Sequence, residues 1–227
     1  QGRDSFWRDY LAGFTTANDL PFTANTNAAG TMPGHISRPL SQAMGEGLRL
    51  QARQHGVTLA AQLLSAWALV LAQQSGQRDV VTGLTVSGRP ASVADADRMV
   101  GMFINTLPVR IDCQADQSVT AFLAATHQTM GALVEGTGDA LSAITAAASD
   151  FTGDRLFHST LVVENYPVEE GLLDALPGIR VSSVQAIEDS HFPLTLLVSP
   201  GKTITVKALY DRSLFDGSTV FGLLSQF

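Results

Sequence analysis

The chain has 227 residues, of which 45% are hydrophobic, 15% charged and 7% aromatic, a composition that excludes a disordered tail or a fibre. Its formal charge is −7 and its 14 basic residues are scattered, which argues against nonspecific binding to nucleic acid or anionic lipid. The longest apolar window, residues 59–72, is shorter than the about 20 residues that a membrane span requires.

Cysteine and histidine usage narrows the chemistry further. Cys113 is the only cysteine, which excludes an internal disulfide or a thiolate zinc site and favours a reducing, cytoplasmic compartment. The histidines stand singly, without the spacing of a metal-binding pair, so we expect no metal site; they are His35, His55, His127, His158 and His191. The chain begins at Gln1 without a signal-like segment, and we interpret it as a piece of a longer polypeptide.

Helices are predicted to dominate the first third of the chain. Aromatic residues at helical spacing predict a short amphipathic helix near residues 4–13. Residues 15–39, rich in Thr, Asn, Gly and Pro, are predicted to form a long surface connection. Two helices, at about residues 41–55 and 59–74, are predicted to form a hairpin, with Thr58 capping the second.

The rest of the chain mixes strands and helices. Strands are predicted at residues 79–87, 105–111, 156–164, 179–186, 192–198 and 203–210, with a turn at 199–202 joining the last two as a hairpin. Helices are predicted from Ser118 to Gly136 and from Ser213 or Asp216 to the C-terminus. The order lacks βαβ regularity, so we predict one domain of mixed α+β layers in the broad α/β class.

Familiar catalytic patterns are missing from the sequence. It contains no phosphate-cradling GxxxxGK[ST] loop and no G-x-S-x-G nucleophile elbow. Cys113 has no neighbouring cation that would lower its thiol pKa. The sequence therefore indicates no complete active site in this chain.

One apolar stretch, VGMFINTLPVR at residues 100–110, carries three polar residues that need partners. Asn105, Thr106 and Arg110 place an amide, a hydroxyl and a guanidinium in a run that otherwise belongs in a core. Buried polar groups are almost always hydrogen-bonded. The sequence therefore predicts specific partners for all three.

This stretch resembles the fifth core motif of nonribosomal peptide synthetase condensation domains, VGxFxNTxxxR, and the segment TVSGRPASVADADRM before it is also similar. FWRDYLAGF at residues 6–14 resembles the tryptophan-containing helix of that family, and residues 208–227 resemble its closing strand and helix. The likeness spans essentially the whole chain. It departs from the family at residues 136–145 and at Pro193.

The resemblance implies a chloramphenicol acetyltransferase-like lobe with a mixed sheet flanked by helices. Residues 1–227 are expected to be the C-terminal lobe of a two-lobed domain whose N-terminal lobe, bearing the catalytic HHxxxDG motif, is absent from this chain. The implied activity is amide bond formation between carrier-bound aminoacyl or peptidyl thioesters, in antibiotic or siderophore synthesis. No catalytic residue is expected in this chain, and alone it is expected to be inactive.

The resemblance also implies the partners. Phosphopantetheine arms are expected to come from donor and acceptor peptidyl carrier proteins, with no cofactor bound directly. The N-terminal lobe and the adjacent synthetase domains are the other expected partners. Nucleic acid and membrane are not expected.

The predicted substrate-binding residues lie around the motif: Phe103, Asn105, Thr106 and Ser87. We expect the Asn105 amide to point into the cleft and to hydrogen-bond the pantetheine arm or the thioester region. Leu107, Ile104 and Phe103 are expected to anchor the strand in the core.

Either Arg89 or Arg110 is predicted to form an ion pair with the motif aspartate of the missing lobe, since a guanidinium binds a carboxylate in a bidentate manner. The alternative for Arg110 is a cap at the strand surface. The alternatives for the whole chain are a catalytically idle module that recruits carrier proteins or tailoring enzymes, and the matching lobe of an epimerisation or heterocyclisation domain.

Overall fold

The computed structural model describes residues 2–23, 33–87, 95, 98–101, 103–134, 138–164 and 190–227. The helices are α1 (Gly2–Tyr10), α2 (Gln42–His55), α3 (Leu59–Ser75), α4 (Val119–Val134), α5 (Leu141–Ala147) and α6 (Gly217–Gln226). The strands are β1 (Gly34–Pro39), β2 (Asp79–Ser87), β3 (Ile104–Asp112), β4 (Ser159–Val163), β5 (Leu194–Pro200) and β6 (Ile204–Tyr210).

The six strands form one mixed sheet in the order β1-β6-β5-β4-β2-β3. The pairs β1–β6, β5–β6 and β2–β3 are antiparallel, whereas β2–β4 and β4–β5 are parallel. The predicted mixed sheet flanked by helices is therefore confirmed, and so is the β5–β6 hairpin.

Polar caps define the helical hairpin as predicted. The Met44 N–H donates to Ser41 Oγ at 3.2 Å, and the Ala61 N–H donates to Thr58 Oγ1 at 3.1 Å. Gly56 ends α2 at φ 64°, a left-handed conformation that glycine adopts without the steric cost other residues meet. The turn between α2 and α3 is therefore set by local residues.

One face of the sheet packs on helices, and we call it the helical face. Trp67 of α3 is 0% exposed, and its indole N–H donates to Ser159 Oγ at 3.0 Å. The hydroxyl of Thr82 donates to the Ser159 carbonyl at 3.0 Å, so the buried polar groups on this face satisfy one another. The main core lies between this face and α3.

Two elements were not predicted. β1 lies within the predicted connection 15–39, because its sequence GHISRP has almost no apolar residues and only pairing with β6 makes it a strand. α5 has no side-chain hydrogen bond at its N-cap, Ala140, so the usual start signal is missing. The strand predicted at 179–186 lies outside the described residues.

Within the described ranges, no single helix is long and apolar enough to cross a membrane. The pair that reaches that length together, α2 and α3, is bent by 106°. The same residues contain no group of three or more His, Cys, Asp or Glu side chains placed to hold a metal ion.

Packing over β2 predicts the outcome of a glycine substitution. A Cβ on Gly83 would lie 2.5 Å from the Phe157 ring and 2.9 Å from Thr160 Oγ1. We expect Gly83→Ala to lower the free energy of unfolding by about 1–3 kcal/mol through overpacking, measured by urea denaturation. Gly47→Ala, in an exposed turn of α2 with nothing within 4 Å, is the control and should stabilise by about 0.5–1 kcal/mol. Equal effects would contradict the packing.

Candidate functional site

The sheet face opposite the helical face carries a row of residues that crosses all six strands. We call it the open row; its members, in sheet order, are Thr106, Thr85, Val162, Leu197, Lys207 and Ser37. All six side chains are half-buried or exposed, whereas their neighbours on the helical face of β5 and β6 are buried: Leu196, Val198, Val206 and Ala208. A partly exposed row across a sheet is a surface on which a ligand or another protein lobe can lie.

Three threonine hydroxyls meet at one end of this row, and we call them the threonine cluster. Thr85 Oγ1 lies 3.2 Å from Thr106 Oγ1 and 3.5 Å from Thr160 Oγ1. Thr160 is 2% exposed, and the other two are half-buried. Thr106 was predicted as a site residue, whereas Thr85 and Thr160 were not, because only the strand register brings them together.

Asn105 has partners at both ends of its amide. Its Nδ2 donates to the Asp139 carbonyl at 2.9 Å, and its Oδ1 accepts the Thr106 N–H at 2.9 Å. The sequence predicted that this amide points into a cleft; the structure instead uses it to join β3 to the residues just before α5. Contact between Asn105 and a substrate arm stays a prediction.

The other predicted site residues lie around the same strand end. Ser87 is exposed at the end of β2 and is paired with Ile104, the first residue of β3. Ile104 is 58% exposed, so it does not anchor the strand in the core as expected, whereas Leu107 is buried as expected. Phe103 is half-buried, and Arg89 lies outside the described residues.

Arg110 forms an ion pair with a carboxylate of this chain. Its Nε and Nη2 donate to the two carboxylate oxygens of Asp79, each at 2.8 Å, in a bidentate ion pair. Its Nη1 donates to the carbonyls of Tyr10 and Ala12, at 2.9 and 2.8 Å, at the end of α1. These contacts tie Arg110 to α1 and β2, and the inter-lobe ion pair predicted for Arg89 or Arg110 stays a prediction.

The outer edge of β3 is closed by the residues of the motif itself. The N–H groups of Thr106 and Arg110 point away from β2: the first donates to Asn105 Oδ1 and the second to the Tyr10 hydroxyl, at 2.7 Å. Pro108 lies between them, at the position whose N–H would also point away from β2, and proline has no N–H to donate. Proteins commonly close an edge strand by such devices, because a free edge pairs with other chains.

Trp7 and Asp139 are residues that sequence reasoning did not select. The Trp7 indole N–H donates to Asp139 Oδ2 at 2.9 Å, and the Asp139 carbonyl accepts from Asn105. Trp7 lies on the buried side of α1, the short helix that the aromatic spacing predicted. No local signal marks Asp139, since the pairing joins residues 132 positions apart.

Cys113 is not set up as a nucleophile, and His158 lies far from the NTLPVR strand end. Burial, followed by the charge of Asp112, raises the pKa of the Cys113 thiol to about 11, so it is a neutral thiol at physiological pH. Burial lowers the pKa of His158, which stacks edge-on against Phe22 at the rim of a groove of about 800 Å³. That groove lies at the opposite end of the strands from Asn105 and Ser87.

The Arg110 network predicts a loss of stability on a conservative change. Arg110→Lys keeps the charge but loses the bidentate geometry and the contacts to α1, so we expect the free energy of unfolding to fall by about 1–3 kcal/mol in urea denaturation. Arg53→Lys, on the exposed side of α2, is the matched control and should change it by less than about 0.5 kcal/mol. Indistinguishable variants would show that Arg110 acts only through its charge.

The burial of the Tyr10 hydroxyl predicts that the free energy of unfolding falls at high pH. Burial is the main cause that raises the pKa of its hydroxyl from 10.0 to about 12. A raised folded-state pKa means that the contribution of Tyr10 is complete below the unfolded value of 10.0 and is lost as the pH rises through about 12. The stability difference between wild type and Tyr10→Phe, measured by urea denaturation at stepped pH, should therefore be constant below pH 10 and decline above it. A difference that stays flat to pH 12 would contradict this.

Comparison with known proteins places this geometry in a family. The family model described as "Condensation domain" matches residues 1–227. A linear gramicidin synthase protein of Brevibacillus parabrevis is 35% identical over 229 residues, which are 100% of this chain and 3% of that protein. Chondramide synthase of Chondromyces crocatus is 32% identical over 217 residues, which are 96% of this chain and 6% of that protein. This chain is therefore similar to a small part of much longer proteins.

Two solved structures of similar fold are each about twice as long as this chain. The complex of the X-domain and OxyB from teicoplanin biosynthesis matches with a TM-score of 0.78 and 21% identity, over 99% of this chain and 50% of that one. The first condensation domain of the calcium-dependent antibiotic synthetase, in complex with a substrate analogue, matches with a TM-score of 0.75 and 18% identity, again over 99% and 50%. With its mixed sheet, its helical hairpin and its NTLPVR strand, this chain belongs to the condensation domain family.

Proposed function

We propose that this chain supplies one wall of the cleft in which a condensation domain forms amide bonds during nonribosomal peptide synthesis. The observation that carries the proposal is the open row. Its residues cross the sheet and are partly exposed, and the threonine cluster and the NTLPVR strand lie at one end of it. The match of the condensation family model to the whole chain supports it. Such a chain works in the cytoplasm, on substrates carried by phosphopantetheine arms of carrier proteins.

Amide bond formation requires the kind of neutral, fixed polar groups that the open row carries. The acceptor amine attacks the donor thioester carbonyl, the C–N bond forms, the C–S bond breaks, and the thiol leaves with the proton that the amine gives up. Holding the amine and thioester in line supplies most of the help that such a reaction needs, together with polar groups at the developing charge. Neutral hydroxyls on a rigid sheet serve both purposes without entering a covalent intermediate.

The residues for proton handling come from elsewhere in the domain. The sequence has no two consecutive histidines, so an HHxxxDG motif is not in this chain. Cys113, with its raised thiol pKa, is not a nucleophile at neutral pH. The chain therefore binds and orients, and the other half of the domain supplies the histidine.

Recruitment of another protein is the second candidate function. It is favoured by one observation: an X-domain that shares this fold has been solved in complex with OxyB. A catalytically idle relative would use the same fold for docking rather than for chemistry. An epimerisation or heterocyclisation domain is a further candidate within the enzymes, and the open row by itself fits all of them.

The test is a condensation assay of this chain alone and with the N-terminal half of its domain, using donor and acceptor loaded on carrier proteins. We expect dipeptide product, detected by mass spectrometry, only when both halves are present, because the histidine motif is not in this chain. The control is the complete domain with both motif histidines replaced by alanine, which should bind carriers without forming product. Carrier binding by the intact domain without any product would favour recruitment instead, and an inverted stereocentre would identify an epimerisation domain.

A further inference from the structure

The threonine cluster has one more hydroxyl proton than it has internal hydrogen bonds. Each of its three hydroxyls has a single O–H proton to donate. The cluster contains two hydroxyl–hydroxyl contacts, Thr85 to Thr106 and Thr85 to Thr160. Among the residues that the structure describes, one proton is therefore left without an acceptor.

Burial decides which hydroxyl keeps the spare proton. Thr160 is 2% exposed, and a buried donor without an acceptor is costly. The favourable arrangement has Thr160 donating to Thr85, and Thr85 donating to Thr106. The proton of Thr106, on the half-buried first position of the open row, is then directed outward from the cluster.

Thr106 cannot easily turn its proton elsewhere. Its own backbone N–H is held by Asn105 Oδ1, and the Asn105 amide is itself tied to Asp139, so the strand position is set. A threonine side chain has few rotamers, and the contact with Thr85 restricts the hydroxyl further. The result is a preorganised donor on an exposed end of the sheet.

The surroundings select a neutral acceptor. Val162, which follows Thr85 in the open row on β4, and the exposed Ile104 are apolar. Lys207, the cation of the same row, is four strands away from β3, a separation of about 19 Å at the usual strand spacing. A carboxylate would find no charge compensation from Lys207 at that distance, whereas a carbonyl oxygen requires only the hydrogen bond.

We propose that the Thr106 hydroxyl donates a hydrogen bond to a carbonyl oxygen of the bound substrate, an amide or thioester group of the carrier-borne arm, and that Thr85 and Thr160 are positioning residues that orient this donor. The inference rests on the proposed function, because it takes the open row as the wall of the substrate cleft. It assigns a role to Thr85 and Thr160, which lie 75 residues apart and meet only in the sheet.

The test uses the complete two-lobed domain and two synthetic ligands, an aminoacyl-pantetheine amide analogue and the same molecule with a methylene group in place of the carbonyl. The ratio of their dissociation constants, measured by calorimetry, reports the carbonyl contact. Wild type should prefer the carbonyl ligand by about tenfold, since a site built to hydrogen-bond a group discriminates against its absence. Thr106→Val should abolish the preference, and Thr106→Ser, which keeps the hydroxyl, should retain it.

Two further variants separate orientation from stability. Thr85→Val removes the group that directs the Thr106 proton and should reduce the preference to about threefold. Thr82→Val, in the same strand but on the helical face, removes a buried hydroxyl that bonds only to Ser159. It should lower the melting temperature and leave the preference unchanged.

The outcomes distinguish this inference from the proposed function. A Thr106→Val domain that keeps the wild-type preference, or a wild type without any preference, overturns the inference even if product still forms. Equal loss of preference in Thr82→Val and Thr106→Val also overturns it, because the effect would then be general destabilisation. Selective loss in Thr106→Val, in a domain that forms no product, supports the inference while contradicting condensation.

Discussion

The closure of the outer edge of β3 is the constraint on which the site depends. A strand at the edge of a sheet exposes a line of backbone donors, and here three of the outward positions are occupied by an N–H bound to Asn105, by Pro108, and by an N–H bound to Tyr10. The guanidinium of Arg110 then links this strand to Asp79 in β2 and to the end of α1. These contacts add to the pairing with β2 in fixing the first residues of β3, which carry Asn105 and Thr106.

This closure explains why an apolar motif carries polar residues. Asn105, Pro108 and Arg110 each satisfy or remove a backbone or side-chain hydrogen-bonding demand at the strand edge, while Leu107 and Val109 are buried. Thr106 is the exception among the polar residues, because its hydroxyl faces the open row rather than the edge. One strand therefore carries residues that close its edge, residues that pack in the core, and one hydroxyl that faces the open row.

The two faces of the sheet have different roles, one in stability and the other in the proposed binding. On the helical face, Trp67, Ser159 and Thr82 satisfy their hydrogen bonds internally and contribute to stability. On the opposite face, the threonine cluster has two internal hydroxyl contacts for three hydroxyl protons, and we propose that the third serves binding. Positioned neutral donors of this kind are what the proposed condensation function would require of this chain.

The local signals in the sequence determined the capped helices, the hairpin, most of the strands and the family to which the chain belongs. They placed Thr106 and Arg110 in a motif because those residue types stand out in an apolar run. The sequence did not determine that β1 is a strand, that Ile104 is exposed, or that Arg110 pairs with Asp79 rather than outside the chain. Only the tertiary structure decided that Thr85, Thr106 and Thr160 meet, because cross-strand register depends on contacts between residues far apart in the chain, and these leave no periodic or local pattern to read.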